Sequence, residues 1–266
     1  MKKLLAKSVK IFLFFIAGLM LWSGFYAIFP NVSNLKEKNP DITSFMKYRV
    51  MQTEKEGKSL RIKKSWTPLS SISPYLAKAV LIAEDDKFWK HEGFDFEAIQ
   101  KAIETDIKTK KIKFGGSTIS QQLAKNLFLT PSKNPVRKIK EAILTWRIEQ
   151  NLSKKRILEL YLNVVEWGNG IFGAEAASRH YFGKSALSLS AIEAAKLAVV
   201  LPNPKRLSPV SDSAYIQKRS NLIYSIMVRR GIVSEDYQDA VNEDDVTQKE
   251  DDSTDPEPVS DKTDLE

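Results

Sequence analysis

Residues 115–126 read GGSTISQQLAKN, two glycines followed by a pattern with helical spacing. Two glycines permit a sharp turn or a close approach of the backbone, and a helix is predicted to follow them. On that helix a hydroxyl, an amide and an amine, from Thr118, Gln122 and Lys125, share one face at intervals of four and three residues. Such groups near a helix N-terminus favour an anion, although an ordinary polar surface helix fits the pattern equally well.

Capping signals predict further helices on both sides of this segment. Ser73-Pro74 predicts a helix that runs to about Asp86, and Asn134-Pro135 predicts a second helix with an apolar stripe. The stripe consists of Val136, Ile139, Ile143 and Trp146. Further helices are predicted after Ser153, after a capping box at Ser190–Glu193 and over residues 214–229. The predicted class is therefore mostly α, in a single domain.

Glu84 is the leading candidate for acid–base chemistry. It follows Leu76 and Val80 at helical spacing, so it extends an apolar stripe that should face the core. Burial raises the pKa of a carboxyl group, as a general base requires. Asp85 lies beside it on an adjacent face. The competing interpretation is an acid solvated at the edge of the core.

Arg137 and Glu141 lie one helical turn apart, opposite the apolar stripe. The functional interpretation is that Arg137 binds phosphate while Glu141 orients it or a metal ion. The alternative is a solvated surface ion pair of little energetic value. A run of lysines interrupted by apolar residues at 108–114 suits an anionic lipid or a pyrophosphate, although most such runs are simply solvated.

Composition and charge limit the classes of function. The chain of 266 residues has no cysteine and only two histidines, which excludes thiolate chemistry and a histidine-rich metal site. Its net charge of +8 is uneven, because residues 243–266 carry eleven acidic side chains against two lysines and residues 1–242 carry +17. A basic body indicates an anionic partner. The acidic tail lacks aromatic residues and is predicted to be disordered.

The N-terminal segment predicts the side of the membrane on which the chain meets its anionic partner. Residues 11–29 are uncharged and apolar, and four lysines precede them, which favours a membrane span with its N-terminus in the cytoplasm. A cleaved signal peptide is the alternative, but the apolar run is too long for one and no clean cleavage site closes it. The rest of the chain then lies outside the cytoplasm, which argues against nucleic acid as a partner.

Taken together, five segments resemble the motifs of the family-51 peptidoglycan glycosyltransferases in order and spacing. They are Glu84–Asp95, Gly115–Asn126, Arg137–Glu141, Lys155–Asn163 and Gly173–Lys184, within roughly residues 66–230. Ser120, where many relatives carry Thr, is the notable departure, and it keeps the hydroxyl. No transpeptidase elements follow the motifs, so the resemblance is to the monofunctional enzymes.

The resemblance implies a lysozyme-like fold with a large lobe and a small membrane-facing lobe, preceded by one transmembrane helix. The implied organisation is a basic cytoplasmic N-terminus (1–10), the anchor (11–29), a polar connector (30–65), the glycosyltransferase domain (66–242) and the tail (243–266). Short strands are predicted in the connector around Tyr48–Met51 and Leu60–Ile62.

The resemblance also implies the chemistry. The substrates are lipid II and the nascent glycan strand, and Glu84 is the base that deprotonates the acceptor hydroxyl in an inverting transfer. Glu141 is the second catalytic residue and organises the phosphate side. The implied substrate-binding residues are Asp85, Phe88, His91, Ser117, Thr118, Gln121, Gln122, Lys125, Asn126 and Arg137.

No cofactor is expected to be obligatory, and Mg²⁺ or Mn²⁺ at the pyrophosphate is an open alternative. The expected partners are the inner membrane and other proteins of cell-wall synthesis or division. Two other functions remain open: a lysozyme-type glycoside hydrolase, which also uses carboxylates but needs no phosphate site, and an inactive scaffold of the wall-synthesis machinery.

Overall fold

A computed structural model describes residues 30–109, 116–131 and 134–233, without the side chains of 106 and 107, and before them residues 7, 9–10, 12–14, 16–18 and 24. The chain divides into two units, residues 1–224 and 225–266, and the site lies in the first. The α-helices over residues 30–233 are α1 (Ser44–Lys55), α2 (Pro74–Glu84), α3 (Phe96–Thr109), α4 (Ile119–Phe128), α5 (Pro135–Asn151), α6 (Lys154–Val164), α7 (Ala174–Phe182), α8 (Ala191–Val200) and α9 (Ala214–Arg229). The mostly helical class is confirmed for the described residues.

Two sets of packed helices form the core. Helix α2 packs on α8, and α4 packs on α5, α6 and α1. Leu76 and Val80 of α2 are fully buried, as are Leu123 of α4 and Leu160 of α6. The central position of α4 explains why the glycine-led segment decides the fold, since three other helices take their places against it.

A small sheet closes one side of this core. Its strands are β1 (Lys63–Lys64), β2 (Glu166–Gly168) and β3 (Ile171–Phe172), in the order β1-β3-β2. Strand β3 pairs antiparallel with β2 and parallel with β1. The sheet therefore joins the segment before α2 to the hairpin after α6.

The capping signals are confirmed. Asn134 and Ser153 accept hydrogen bonds from backbone N–H groups of α5 and α6, and Ser190 forms a complete capping box with Glu193. Ser73 precedes α2 as predicted, but its hydroxyl donates to the carbonyl of Leu189 at 3.0 Å instead of capping its own helix. That bond ties the start of α2 to the segment before α8.

The connector differs from its prediction. Tyr48–Met51, predicted as a strand, lies inside helix α1, and the second strand forms at Lys63–Lys64 instead of Leu60–Ile62. Thr43 caps α1 by accepting from the N–H of Met46 at 3.2 Å. Because α1 packs on α4, residues 44–55 belong to the folded domain.

Helix α5 buries a mixed face, on which Leu144 and Ile148 are fully buried alongside Glu141. Its apolar stripe faces solvent, with Ile139 49% and Trp146 54% exposed, whereas Glu141 on the opposite side is nearly fully buried. An apolar stripe normally faces the core. Glu141 is therefore not a solvated surface residue.

Other predictions fall on residues outside this description. Within the described residues, no helix combines the length and the apolar character needed to cross a membrane. Much of the predicted anchor at 11–29, the basic residues 110–113 and the whole acidic tail at 243–266 lie outside the described residues.

Candidate active site

Glu84 is the last residue of α2 and continues its buried face to the edge of the core. Burial raises the pKa of its carboxyl group, while a hydrogen bond from Gln122 and the charges of Lys125 and Arg219 oppose the increase. The charge of Asp85 adds a little to it. The negative end of the α2 dipole also disfavours a carboxylate at this position. A raised pKa makes a carboxylate a stronger base, and the role of Glu84 as a proton acceptor remains a prediction.

Asp85 and His91 fasten the loop after α2 to the start of α4. The Nε2 atom of His91 lies 2.9 and 3.1 Å from the two carboxylate oxygens of Asp85, and Asp85 Oδ2 accepts from the N–H of Ile119 at 2.9 Å. The N–H of Gly93 donates to His91 Nδ1 at 3.1 Å, so Nδ1 is the acceptor and Nε2 carries the hydrogen. These contacts hold Glu84 opposite α4.

Gly93 permits this loop to lie directly against α5. Its φ of +94° is unfavourable for other residues, and a Cβ atom there would lie 2.9 Å from Cγ2 of Thr145 and 3.0 Å from Cγ of Glu149. Its carbonyl accepts from the hydroxyl of Thr118 at 2.7 Å. Thr118 also forms a capping box with Gln121 at the start of α4. Loop, α4 and α5 are thus held together in one place.

Helix α4 presents an amide and an amine to Glu84. Gln122 Nε2 donates to Glu84 Oε2 at 2.8 Å, and Asn126 donates back to the carbonyl of Gln122 at 2.8 Å. Lys125 follows on the same side. Burial lowers the pKa of its ammonium group, and attraction to Glu141 opposes this more than attraction to Glu84 does. Lys125 therefore lies within electrostatic reach of both carboxylates.

Glu141 is the centre of a cationic cluster. Its carboxylate accepts from Arg137 Nη1 at 2.8 Å and pairs with Lys138 Nζ, and the charge of Lys125 acts on the same region. Three cations around one carboxylate leave a net charge of +2. The side chain of Arg137 is partly exposed and that of Lys138 is about half exposed. An anion arriving from solvent can therefore reach this cluster.

The remaining residues implied by the resemblance have mixed positions. Phe88 is fully buried, at 5.1 Å from Trp89 between ring centroids and 4.6 Å from the Nζ atom of Lys154. Thr118, Gln121 and Asn126 are also buried, whereas Ser117 is half-buried just before α4. Asp85, His91, Thr118 and Gln121 form hydrogen bonds within the protein that hold the site in place. Contacts of these residues with substrate remain predictions.

The cationic cluster contains one carboxylate, that of Glu141. Mg²⁺ takes oxygen ligands in an octahedral arrangement. Among the residues that the structure describes, no three Asp, Glu or His side chains lie close enough to hold a metal ion, and both oxygens of Glu141 already face cations. The residues present favour an anion at this place.

Two groups at the site were missed by the sequence analysis. The hydroxyl of Tyr161 on α6 donates to Gln122 Oε1 at 3.0 Å, and Arg219 on α9 acts on Glu84 through its charge. Tyr161 lies in the segment Lys155–Asn163, which resembles a family motif, but its apolar neighbours indicate burial and no role is predicted for it. Nothing near Arg219 in the sequence marks it as part of a site.

A helical fold that sets a carboxyl group of raised pKa beside a cationic cluster defines a class of transferase, in which a base activates a hydroxyl and cations bind a phosphorylated leaving group. The family model described as Transglycosylase matches residues 51–228. The chain belongs to this transglycosylase family.

Similar proteins bear the same description. A biosynthetic peptidoglycan transglycosylase of Nitrosospira multiformis is 45% identical over 223 residues, which are 84% of this chain and 96% of the relative. One from Azoarcus sp. strain BH72 is 52% identical over 190 residues, 71% of this chain and 81% of the relative. One from Dechloromonas aromatica is 53% identical over 167 residues, 63% of this chain and 72% of the relative.

Proposed function

We propose that this chain polymerises lipid II into β-1,4-linked glycan strands and releases undecaprenyl diphosphate. As a member of the transglycosylase family it is a glycosyltransferase of peptidoglycan synthesis. The observation that carries the assignment of residues is the position of Glu84, a carboxyl group of raised pKa that faces Lys125 and, beyond it, the cluster around Glu141.

The proposed chemistry begins at Glu84. Its carboxylate removes the proton from the 4-hydroxyl of the acceptor sugar, and that oxygen attacks the anomeric carbon of the lipid-linked strand from the side opposite the diphosphate. The bond from the anomeric carbon to the diphosphate breaks as the new glycosidic bond forms, so the configuration inverts from α to β. Because Gln122 holds Oε2, the other carboxylate oxygen is the one that takes the proton.

The leaving group needs cations more than it needs a proton, because a diphosphate already carries negative charge. Lys125 and Arg137 are proposed to bind it, and Glu141 holds Arg137 and Lys138 in position. Glu141 thus acts through its neighbours, and no step passes through a metal ion.

The hydrolase alternative is disfavoured by the state of the second carboxyl group. A hydrolase needs a partner carboxylate about 5–9.5 Å from the first. The neighbouring Asp85 is buried, and its oxygens accept from His91 and from the N–H of Ile119. Glu141 is engaged by two cations. An inactive scaffold would have no need of a half-buried carboxyl group and a half-buried lysine at one place.

We further propose that the chain works at the periplasmic face of the inner membrane, held by a span at residues 11–29. The exposed apolar row of α5 supports a membrane-facing lobe of a lysozyme-like fold, and Phe96 and Ile103 of α3 are also exposed. Exposed apolar rows of this kind are typical of surfaces that meet a membrane or a partner. A cysteine at Glu37, in this cysteine-free chain, should react with an impermeant thiol reagent added from the periplasmic side.

The decisive experiment is polymerisation of purified lipid II by the full chain and by Glu84→Gln. The substitution keeps the shape and removes the basicity, so turnover should fall by at least about 10². Exposed Glu104→Gln on α3 is the matched control and should retain turnover. Polymerisation by Glu84→Gln at the normal rate would refute the assignment of the base, and release of soluble sugar without polymer would favour the hydrolase.

A further inference from the structure

Tyr161 connects helix α6 to the proposed base through a single amide. The residue is fully buried, and its hydroxyl lies 3.0 Å from Gln122 Oε1. Gln122 Nε2 in turn lies 2.8 Å from Glu84 Oε2. The three side chains form one continuous line of hydrogen bonds from the core to the carboxylate.

The charge on Glu84 fixes the direction of each bond in this line. An ionised carboxylate can only accept, so Gln122 must turn its NH₂ group toward Glu84 and its oxygen toward Tyr161. The Tyr161 hydroxyl then donates. The opposite amide orientation has nearly the same shape but would place the Gln122 oxygen against the carboxylate, where both atoms are acceptors.

Tyr161 is able to donate throughout the working pH range. Burial raises the pKa of its hydroxyl well above the ordinary value, and the charges of Glu84 and Asp85 raise it further. The hydroxyl therefore stays protonated. Gln122 therefore keeps its orientation as long as Glu84 is ionised and the Tyr161 hydroxyl donates.

We propose that Tyr161 is a positioning residue for the transfer reaction: its hydroxyl orients the Gln122 amide so that Glu84 stays ionised and correctly turned to accept the proton. This inference rests on the proposed role of Glu84 as the base. Tyr161 does not touch the reacting atoms and acts only through Gln122.

Other charges facing Glu84 do not depend on Tyr161. Lys125 from α4 and Arg219 from α9 favour the ionised carboxylate, and the neighbouring Asp85 disfavours it. These three remain when the Tyr161 hydroxyl is removed. A change in the ionisation of Glu84 in that variant can therefore be assigned to the orientation of Gln122.

The test is the pH profile of lipid II polymerisation by the full chain and by Tyr161→Phe. The hydrogen bond from Gln122 lowers the pKa of Glu84, so weakening it should raise that pKa and move the acid limb of kcat to higher pH. We expect about a tenfold loss of kcat at neutral pH, the usual effect of one hydrogen bond, with partial recovery as the pH rises and little change in KM.

Two further variants separate positioning from packing. Gln122→Ala should shift the acid limb in the same direction, and adding Tyr161→Phe to it should cause no further loss, because the two residues act in one line. Tyr48→Phe on α1 removes a hydroxyl from a half-buried tyrosine that stacks on Phe45 and should leave the profile unchanged.

Each outcome supports or overturns the proposed role of Tyr161. An equal loss for Tyr161→Phe at every pH would reduce Tyr161 to a packing role and overturn the proposal, as would unchanged activity. If Tyr161→Phe fails to fold, the acid limb of Gln122→Ala decides: a shift supports the line, and no shift overturns it. The proposed function fails separately, if the full chain makes no polymer from lipid II, and the assignment of the base fails if Glu84→Gln polymerises lipid II normally.

Discussion

Removing the guanidinium of Arg49 should destabilise the whole domain, because Arg49 and Glu166 form a buried ion pair between α1 and the β2–β3 hairpin. Arg49 Nε lies 3.0 Å from each oxygen of Glu166, and both side chains are only 3% exposed. The other guanidinium nitrogens donate to Asn169 at 2.8 Å and to Gln52 at 3.0 Å. Arg49→Met keeps most of the side-chain volume and removes every one of these donors.

The magnitude follows from what remains. In the variant the buried Glu166 carboxylate loses its bonds to Arg49 and still accepts a hydrogen bond from the N–H of Gly170 at 3.0 Å. Breaking a buried pair from one side costs about 3–5 kcal/mol. For a domain of this size each kcal/mol lowers Tm by roughly 2–4 °C, so Arg49→Met should melt about 6–20 °C below the unsubstituted chain.

The assay is thermal unfolding of the full chain in detergent, followed by far-ultraviolet circular dichroism. Lys47→Met, at an exposed position of the same helix, is the matched control and should change stability by no more than about 0.5 kcal/mol. Adding Glu166→Gln to Arg49→Met removes the buried negative charge that has lost its cation, and it should restore part of the lost stability. A melting temperature for Arg49→Met equal to that of the control would refute the docking of α1.

Three further predictions concern the site and its surroundings. Lys125→Ala and Arg137→Ala should each lower kcat on lipid II by at least about tenfold at nearly unchanged Tm, because each removes a cation from the leaving-group side. The exposed Lys101→Ala is the control, and unchanged kinetics in both site variants would show that neither cation takes part in catalysis. Glu84→Gln should raise Tm at neutral pH, because a raised pKa in the folded chain means that ionised Glu84 destabilises the folded state. This gain in Tm should shrink as the pH falls through that pKa, and a lower Tm at neutral pH would contradict the raised pKa. A polarity-sensitive dye on Ile139→Cys should emit at shorter wavelength in lipid vesicles than the same dye on Leu187→Cys, a position that is 54% exposed elsewhere; identical spectra would remove α5 from the membrane-facing surface.

Local signals in the sequence predicted the helices well because capping is a local interaction. The hydroxyl or amide of a cap bonds two or three residues ahead, so Asn134, Ser153 and Ser190 could be recognised without knowledge of the fold. Glu84 was found for a similar reason, since helical spacing alone puts it on the buried face of α2.

What the sequence did not predict depends on distant residues. Helix α1 was predicted as a strand because Tyr48, Val50 and their neighbours have high strand propensity, and its cap carries Met46 where Glu or Gln would give a clear capping box. Its main polar anchor, Glu166, is 117 residues away from Arg49. Tyr161 was missed because an apolar pattern predicts burial and cannot show what a buried hydroxyl bonds to.

Helix α5 departs from the usual burial of apolar side chains and exposure of charged ones, and it does so at the candidate site. Its pattern predicts which residues share a face but not which face is covered, and the structure covers the face that carries Glu141 together with Leu144 and Ile148. Burying Glu141 is costly unless it is paired, and leaving Trp146 and Ile139 exposed forgoes the burial of large apolar side chains. The observed orientation places Arg137 and Lys138 beside Lys125 and turns the apolar row outward, as the proposed binding of a lipid diphosphate at a membrane surface would require.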